Sequence, residues 1–241
     1  MSESPKSNEL ADAPVLAIHR RAPVRRLQLD ATSWVDVVDG FVAAPLVEFD
    51  HIRSTSRWQE TAVLRYDKYV PEKRLSAGLR AADYSLLRQT DLHLRAAYRK
   101  RLEGVAAILY RDGHDFQGLH SDREMRWLDD TLVAIVVLGQ RRPFVLRERK
   151  PLSQVIEKIP AGREAGDITL MPGEGDLLVM GGACQRTWLH GIPAAETPNE
   201  RISLTWRWTS RTGAPDTKPT YNDGRQYSDR PLQPGTRRRP A

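Results

Sequence analysis

The chain has 241 residues, one cysteine (Cys184) and a net charge of +6. This length allows one domain with tails, or at most two small domains, and is sufficient for a buried core. A single cysteine excludes an intramolecular disulfide, and residues 1–14 lack the apolar segment of a secretory signal, so we expect a cytoplasmic protein. No run of 18 apolar residues occurs, so the sequence predicts no membrane-spanning helix.

The basic residues are unevenly distributed along the chain. Residues 51–111 carry 13 basic and 6 acidic side chains, and residues 209–241 carry 7 basic and 3 acidic ones. Such a concentration of positive charge is typical of a surface that binds a polyanion, including nucleic acid. A solvated, arginine-rich face explains the same counts equally well.

The sequence predicts one domain, residues 23–208, between two disordered tails. Residues 1–22 contain few large apolar groups, and residues 209–241 contain five prolines and a run of three arginines near the end. Neither composition can bury enough apolar surface to order a chain. Within the domain, residues 35–41 and 46–52 are predicted to be short elements, and residues 84–103 to be a helical region.

Short strands separated by turn residues make up the rest of the domain. Residues 105–110, 132–138, 144–147 and 176–180 are apolar or alternating, and glycine or proline separates them. Many short strands with this punctuation are typical of an all-β sandwich or barrel. We therefore expect a mainly β (α+β) domain, best described as a jelly roll with a helical region on its N-terminal side.

Two histidines and one aspartate mark a candidate metal site. His120 and Asp122 are two positions apart, so on a strand their side chains point to the same face. His190 follows 70 positions after His120. Two histidines and a carboxylate cover one face of a metal and leave the opposite face open, as in non-heme Fe(II) oxygenases. These three residues are the predicted metal ligands.

The segment 201–208 alternates with a period of two residues. One face of the predicted strand is apolar, and the other carries Arg201, Ser203, Thr205 and Arg207. At ~3.3 Å per residue, the two arginines lie about 20 Å apart along the chain. If this face points inward, it needs anions, and a dicarboxylate suits it because arginine binds carboxylates bidentately. The alternative is a half-exposed strand with solvated arginines.

These signals occur in a definite order along the chain. Tyr110 and an Asp-Gly turn precede the His120–Asp122 pair, a glycine-rich turn and an apolar strand precede His190, and the alternating strand comes last. This succession resembles the AlkB family of Fe(II)/2-oxoglutarate-dependent dioxygenases. The resemblance is specific over residues 105–208 and fainter over residues 57–104. It implies a double-stranded β-helix (jelly-roll) core over about 105–208, with a nucleotide-recognition lid over about 51–104.

The resemblance also implies what individual residues do. The metal would be Fe(II), held by the three predicted ligands, and its open face would take 2-oxoglutarate and O2. Arg201 and Arg207 would pair with the carboxylates of 2-oxoglutarate. Tyr110 matches a tyrosine that helps to hold this cosubstrate, and Ser203 stands where AlkB itself has asparagine. The chain departs from the family at Ile108, where an asparagine is usual, so another group must take over or the cosubstrate binds differently.

The substrate implied by the resemblance is an N-alkylated base in DNA or RNA, repaired by oxidative dealkylation in a monomeric enzyme. Glu124 would accept a hydrogen bond from an exocyclic amine of the base, and Trp58 or Tyr66 would stack on the base. The alternatives are a surface glutamate and aromatics packed on the core. Two other functions stay open: hydroxylation of a protein or small molecule on the same scaffold, and nucleic-acid binding without catalysis.

Overall fold

The computed structural model describes residues 17–65, 68–122, 125, 128–150 and 164–210, and these ranges form two antiparallel sheets. The large sheet contains β1 Arg25–Gln28, β2 Ser33–Val38, β3 Gln59–Arg65, β4 Lys68–Leu79, β5 Glu103–Tyr110, β7 Thr131–Gly139, β10 Leu177–Gly182 and β12 Arg201–Thr209. The spatial order of these eight strands is β1-β2-β10-β7-β12-β5-β4-β3. The mainly β prediction is confirmed.

The small sheet contains β6 Gln117–His120, β8 Phe144–Glu148, β9 Ile168–Leu170 and β11 Trp188–Ile192. The spatial order of these four strands is β6-β11-β8-β9. One core cluster, called here the inner core, combines Ile135 of the large sheet with Phe144 and Leu146 of the small one. The two sheets therefore enclose a common apolar layer, as expected of a jelly roll.

Strand β7 explains why a central strand of this fold shows no alternation. Val133, Ile135 and Val137 belong to the inner core, whereas Ala134 and Val136 belong to a second cluster on the opposite face of the large sheet, called here the outer core. Both faces of β7 are covered, so the strand is apolar almost throughout. It lies between β10 and β12 and pairs with both.

Two helices cover the outer face of the large sheet. Helix α1 spans Pro45–Thr55 and helix α2 spans Ser85–Tyr98, after a 3-10 turn over Ala81–Asp83. Leucines of α2 are buried in the outer core. The helical region is shorter than predicted, because the chain leaves α2 at Arg99 in a left-handed conformation and enters β5 at Glu103. A one-turn helix, α3 Cys184–Thr187, joins β10 to β11.

The described fold includes residues on the far side of both predicted domain boundaries. Residues 17–22 were expected in the N-terminal tail, but Ala17 and Ile18 are buried, and Ile18 forms a β-bridge with Val42. At the other end, β12 continues to Thr209. Residues 1–16 and 211–241, which make up the rest of the predicted tails, lie outside the described residues. Within the described ranges, no helix is long and apolar enough to cross a membrane.

Candidate active site

The three predicted metal ligands meet beside the pair of strands β6 and β11. His120 and His190 are directly paired across these strands, and their ring centroids are 4.3 Å apart. Asp122 joins them, so that one ligand atom from each residue lies within 4.8 Å of the others. The expectation that His120 and Asp122 share a strand is wrong, since β6 ends at His120. The carboxylate nonetheless turns to the same side, with Oδ1 3.7 Å from Nε2 of His120.

His120 is held in the tautomer that a metal ligand requires. Its Nδ1 lies 2.9 Å from the carbonyl oxygen of Gly118, which can only accept a hydrogen bond. Nδ1 therefore carries the proton, and Nε2 keeps its lone pair for a metal. Burial lowers the pKa of His120, so the imidazole is neutral at pH 7.

His190 is the most deeply enclosed of the three ligands. It is 7% exposed and stacks on Phe144 at a centroid distance of 5.8 Å. Burial, together with the neighbouring His120, lowers the pKa of His190 to about 3. A neutral imidazole is the form that binds a metal, so no proton has to leave His190 near neutral pH.

Asp122 is positioned by two residues from other elements. Its Oδ2 accepts from Nε of Arg207 at 2.6 Å, and its backbone N–H donates to Oε1 of Gln185 at 2.8 Å. Burial opposes ionisation of this carboxyl, but the surrounding positive charge, above all that of Arg207, outweighs burial and lowers the pKa of Asp122. Gln185, fully buried in α3, was not predicted, because nothing in its sequence surroundings marks it.

Arg201 is a fully buried guanidinium that lacks one hydrogen-bond partner. Its Nη1 donates to the carbonyl of Pro172 at 2.8 Å and its Nε to Oγ of Ser203 at 3.4 Å. Nη2 has no partner among the described residues. Burial lowers the pKa of Arg201 to about 10, so the group stays charged at neutral pH. A buried cation with an unsatisfied donor fits an anionic ligand, and a carboxylate would satisfy it.

A cavity of about 90 Å³ lies beside the predicted metal ligands. Tyr110, 3% exposed, lies on β5 next to Arg201, with which it is paired in register. Ile108 faces the cavity two residues earlier, paired with Ser203. The cavity is lined by Arg74, Ile108, Tyr110, Gln117, His120, Val133, Ile135, Phe144, His190, Gly191, Ile192, Ser203, Thr205 and Arg207. Its donors and its apolar walls suit a small acid with a carboxylate at each end.

Of the three predicted substrate residues, Trp58 lies in the described part of the chain. Trp58 packs against the outer core and donates its indole N–H to the carbonyl of Arg53 at 2.9 Å. Trp58 therefore occupies a packing position, which was the alternative interpretation of the predicted aromatic residues. Tyr66 and Glu124 lie outside the described residues, so their substrate roles stay predictions.

The model of the 2OG-Fe(II) oxygenase superfamily matches residues 48–207. The chain belongs to this superfamily. Fe(II) and 2-oxoglutarate are thus its cofactor and cosubstrate, O2 is its oxidant, and the two-sheet architecture is consistent with the superfamily's double-stranded β-helix. The donor set of this oxygenase agrees with that assignment, since it combines neutral imidazoles, an ionised carboxylate and a buried arginine that needs an anion.

The oxygenase is similar to several AlkB homologues. It is 27% identical over 230 residues to "Alpha-ketoglutarate-dependent dioxygenase alkB homolog 3" of Rattus norvegicus, covering 84% of this chain and 75% of the rat protein. It is 25% identical over 189 residues to "DNA oxidative demethylase ALKBH2" of Arabidopsis thaliana, covering 66% of this chain and 60% of that protein. A prolyl hydroxylase structure from Trichoplax adhaerens shares the fold, with a TM-score of 0.51 and 9% identity over 73% of this chain and 83% of that one.

Proposed function

We propose that this oxygenase removes alkyl groups oxidatively from N-alkylated nucleobases in DNA or RNA. The observation that carries the proposal is the similarity to two AlkB homologues, one of them named as a DNA oxidative demethylase. The similarity to the rat protein extends over 84% of the chain, so it includes more than the metal-binding core. The likeness to a prolyl hydroxylase supports the fold alone.

In this proposal the metal and the cosubstrate have separate sets of residues. Fe(II) is held by the three predicted ligands, and Arg201 and Arg207 bind the two carboxylates of 2-oxoglutarate. Tyr110 and Ser203, which border Arg201, support the carboxylate at that end. Bound together, Fe(II), 2-oxoglutarate and O2 supply the oxidation of an N-linked methyl carbon, with release of succinate and CO2 and then of formaldehyde.

The protein around the metal contributes orientation and the exclusion of water. Val133, Ile135 and Phe144 form an apolar wall of the cavity, which limits the access of water to the reacting carbon. Arg207 holds Oδ2 of Asp122, and this contact orients the carboxylate toward the histidines. Since the imidazoles are neutral and the carboxyl is ionised at neutral pH, the ligand set needs no proton transfer before it binds Fe(II).

The basic residues of segment 51–111 do not all lie on one surface. Helix α2 packs its leucines into the outer core, so its exposed Arg88 and Arg95 are separated from the metal ligands by the large sheet. Exposed Arg57 and Lys73 belong instead to the β3–β4 region at the edge of this sheet. In the proposal this region is the lid, and its cations bind phosphates.

An exposed aromatic residue, Phe116, connects β4 to the strand that carries His120. Phe116 is 40% exposed, and its backbone N–H donates to the carbonyl of Lys73 at 3.0 Å. It immediately precedes β6, the strand that ends in His120. An exposed aromatic beside a basic strand suits stacking on an unpaired base. We therefore add Phe116 to the predicted substrate residues, next to Tyr66 and Glu124.

The test is the release of succinate and formaldehyde from oligonucleotides that contain 1-methyladenine or 3-methylcytosine. Formaldehyde should match succinate in amount. Phe116→Ala should raise KM for the oligonucleotide, whereas Leu92→Ala, which removes an exposed apolar side chain from α2 on the opposite face, should leave it unchanged. Succinate released only with peptides or free small molecules would refute dealkylation of nucleic acid and favour the alternative, a hydroxylase of a protein or small molecule.

A further inference from the structure

Among the described residues, Arg74 lines the cavity together with Arg207, and it was not predicted from the sequence. It lies on β4, which pairs with β5 through Leu75↔Leu109 and Ser76↔Ile108. One position before Leu75, Arg74 lies next to the end of β5, where Tyr110 is found. Arg74 and Tyr110 both line the cavity beside the metal ligands.

The guanidinium of Arg74 is held in place by a largely buried ion pair. Its Nη2 lies 2.6 Å from Oε1 of Glu72, and the two side chains are only 15% and 14% exposed. The second carboxylate oxygen of Glu72 accepts from the hydroxyl of Thr61 on β3 at 2.5 Å. Glu72 is thus tied to two strands and orients Arg74. A guanidinium has five N–H donors, so the contact with Glu72 does not exhaust its capacity to bind another anion.

Arg74 and Tyr110 line the same cavity from neighbouring strands. Burial raises the pKa of Tyr110, and Arg74 is the largest of the charges that oppose this rise, in agreement with that placement. The guanidinium therefore lies on the side of the cavity where Tyr110 is paired with Arg201. Ile108, which is paired with Ser76 on one side and Ser203 on the other, offers no donor there.

We propose that Arg74 is a cosubstrate-binding residue, which donates to the carboxylate of 2-oxoglutarate held by Tyr110 and Arg201. It supplies, from the neighbouring strand, the donor that Ile108 cannot supply. Glu72 is then a positioning residue, since it acts on the cosubstrate only by orienting Arg74. The proposal depends on the superfamily cosubstrate and is independent of the identity of the alkylated substrate.

The test compares two variants that break the same ion pair. Glu72→Gln removes the counter-charge and keeps the guanidinium, whereas the double variant Glu72→Gln, Arg74→Met removes both charges and leaves no buried carboxylate unpaired. The binding of 2-oxoglutarate is measured by calorimetry on Mn(II)-loaded full-length protein without O2 or nucleic acid. We expect the double variant to bind about 10- to 100-fold more weakly than Glu72→Gln, as the loss of a charged hydrogen bond implies.

Control measurements and a rescue variant keep the outcome unambiguous. Mn(II) affinity and the circular dichroism spectrum should be the same in both variants, and Arg88→Met, on the outer face, should bind 2-oxoglutarate like the unaltered protein. Adding Ile108→Asn to the double variant should recover part of the lost affinity, because the amide restores a donor at the adjacent position. Equal 2-oxoglutarate affinity in the double variant and in Glu72→Gln would overturn the proposal.

Discussion

Replacing Arg201 by methionine separates the cosubstrate role of this arginine from its contribution to the fold. The guanidinium is fully buried and has one nitrogen without a partner among the described residues. A bound carboxylate would give that nitrogen a charged hydrogen bond, which contributes about 1.5–3 kcal/mol. Its loss should weaken 2-oxoglutarate binding about 10- to 150-fold, since every 1.4 kcal/mol corresponds to a factor of about ten.

The effect of Arg201→Met on stability should be smaller than its effect on binding. The variant removes the guanidinium from the carbonyl of Pro172, which still accepts from the backbone N–H of Arg142 at 3.3 Å, so about 1 kcal/mol of hydrogen bonding is lost. It also removes a buried charge, which is often neutral or stabilising. Because the two effects oppose each other, we expect the free energy of unfolding to fall by no more than about 1 kcal/mol.

The assay is calorimetric titration of the Mn(II)-loaded protein with 2-oxoglutarate in the absence of O2, together with urea denaturation of the metal-free protein. Arg26→Met is the matched control, since Arg26 pairs with Asp36 at the β1–β2 edge of the large sheet, away from the cavity. Its 2-oxoglutarate affinity should equal that of the unaltered protein. A change of less than about fivefold in Arg201→Met, with metal binding intact, would refute the assignment of this arginine to the cosubstrate.

Three further outcomes are expected. Asp122→Ala should lose metal binding and turnover, because one of three ligands is removed, and formaldehyde release by this variant would contradict the metal site. Gly191→Ala should weaken metal binding about tenfold, because the added Cβ would lie 2.8 Å from the carbonyl oxygen of Gln117. The control is Gly118→Ala on the facing strand, whose Cβ meets nothing within 4 Å and which should bind metal normally. Equal metal affinities in the two variants would show that the close contact does not hold the ligands in place. Metal-free protein should lose about 2 kcal/mol of stability between pH 7 and pH 5, because the pKa of His190 falls from 6.5 to about 3 on folding and the unfolded state binds more protons in that window. The pH dependence of the free energy of unfolding should lack this contribution in His190→Asn. An identical pH profile in the variant and the unaltered protein would contradict the prediction.

The strand pattern and part of the metal motif could be predicted because both are local properties of the chain. A strand covered by apolar cores on both faces is apolar throughout, as β7 is, and a strand between an apolar core and a polar cavity alternates, as β12 does. His120 and Asp122 are visible as a pair because they are close in sequence. His190 and Arg201 lie in distant segments, and the resemblance to the AlkB family linked them to that pair where no local pattern could.

Periodicity and residue chemistry are carried by the chain, so they suffice to predict the mainly β class, the close pair of candidate metal ligands and the shared face of the two arginines on the last strand. A charge count contains no information about which side of a sheet a helix covers, and the outward position of the basic residues of α2 is a result of packing. The same holds for Arg74 and Gln185, which reach the site through strand pairing and a one-turn helix. Contacts between residues far apart in sequence form only when the two sheets close around them.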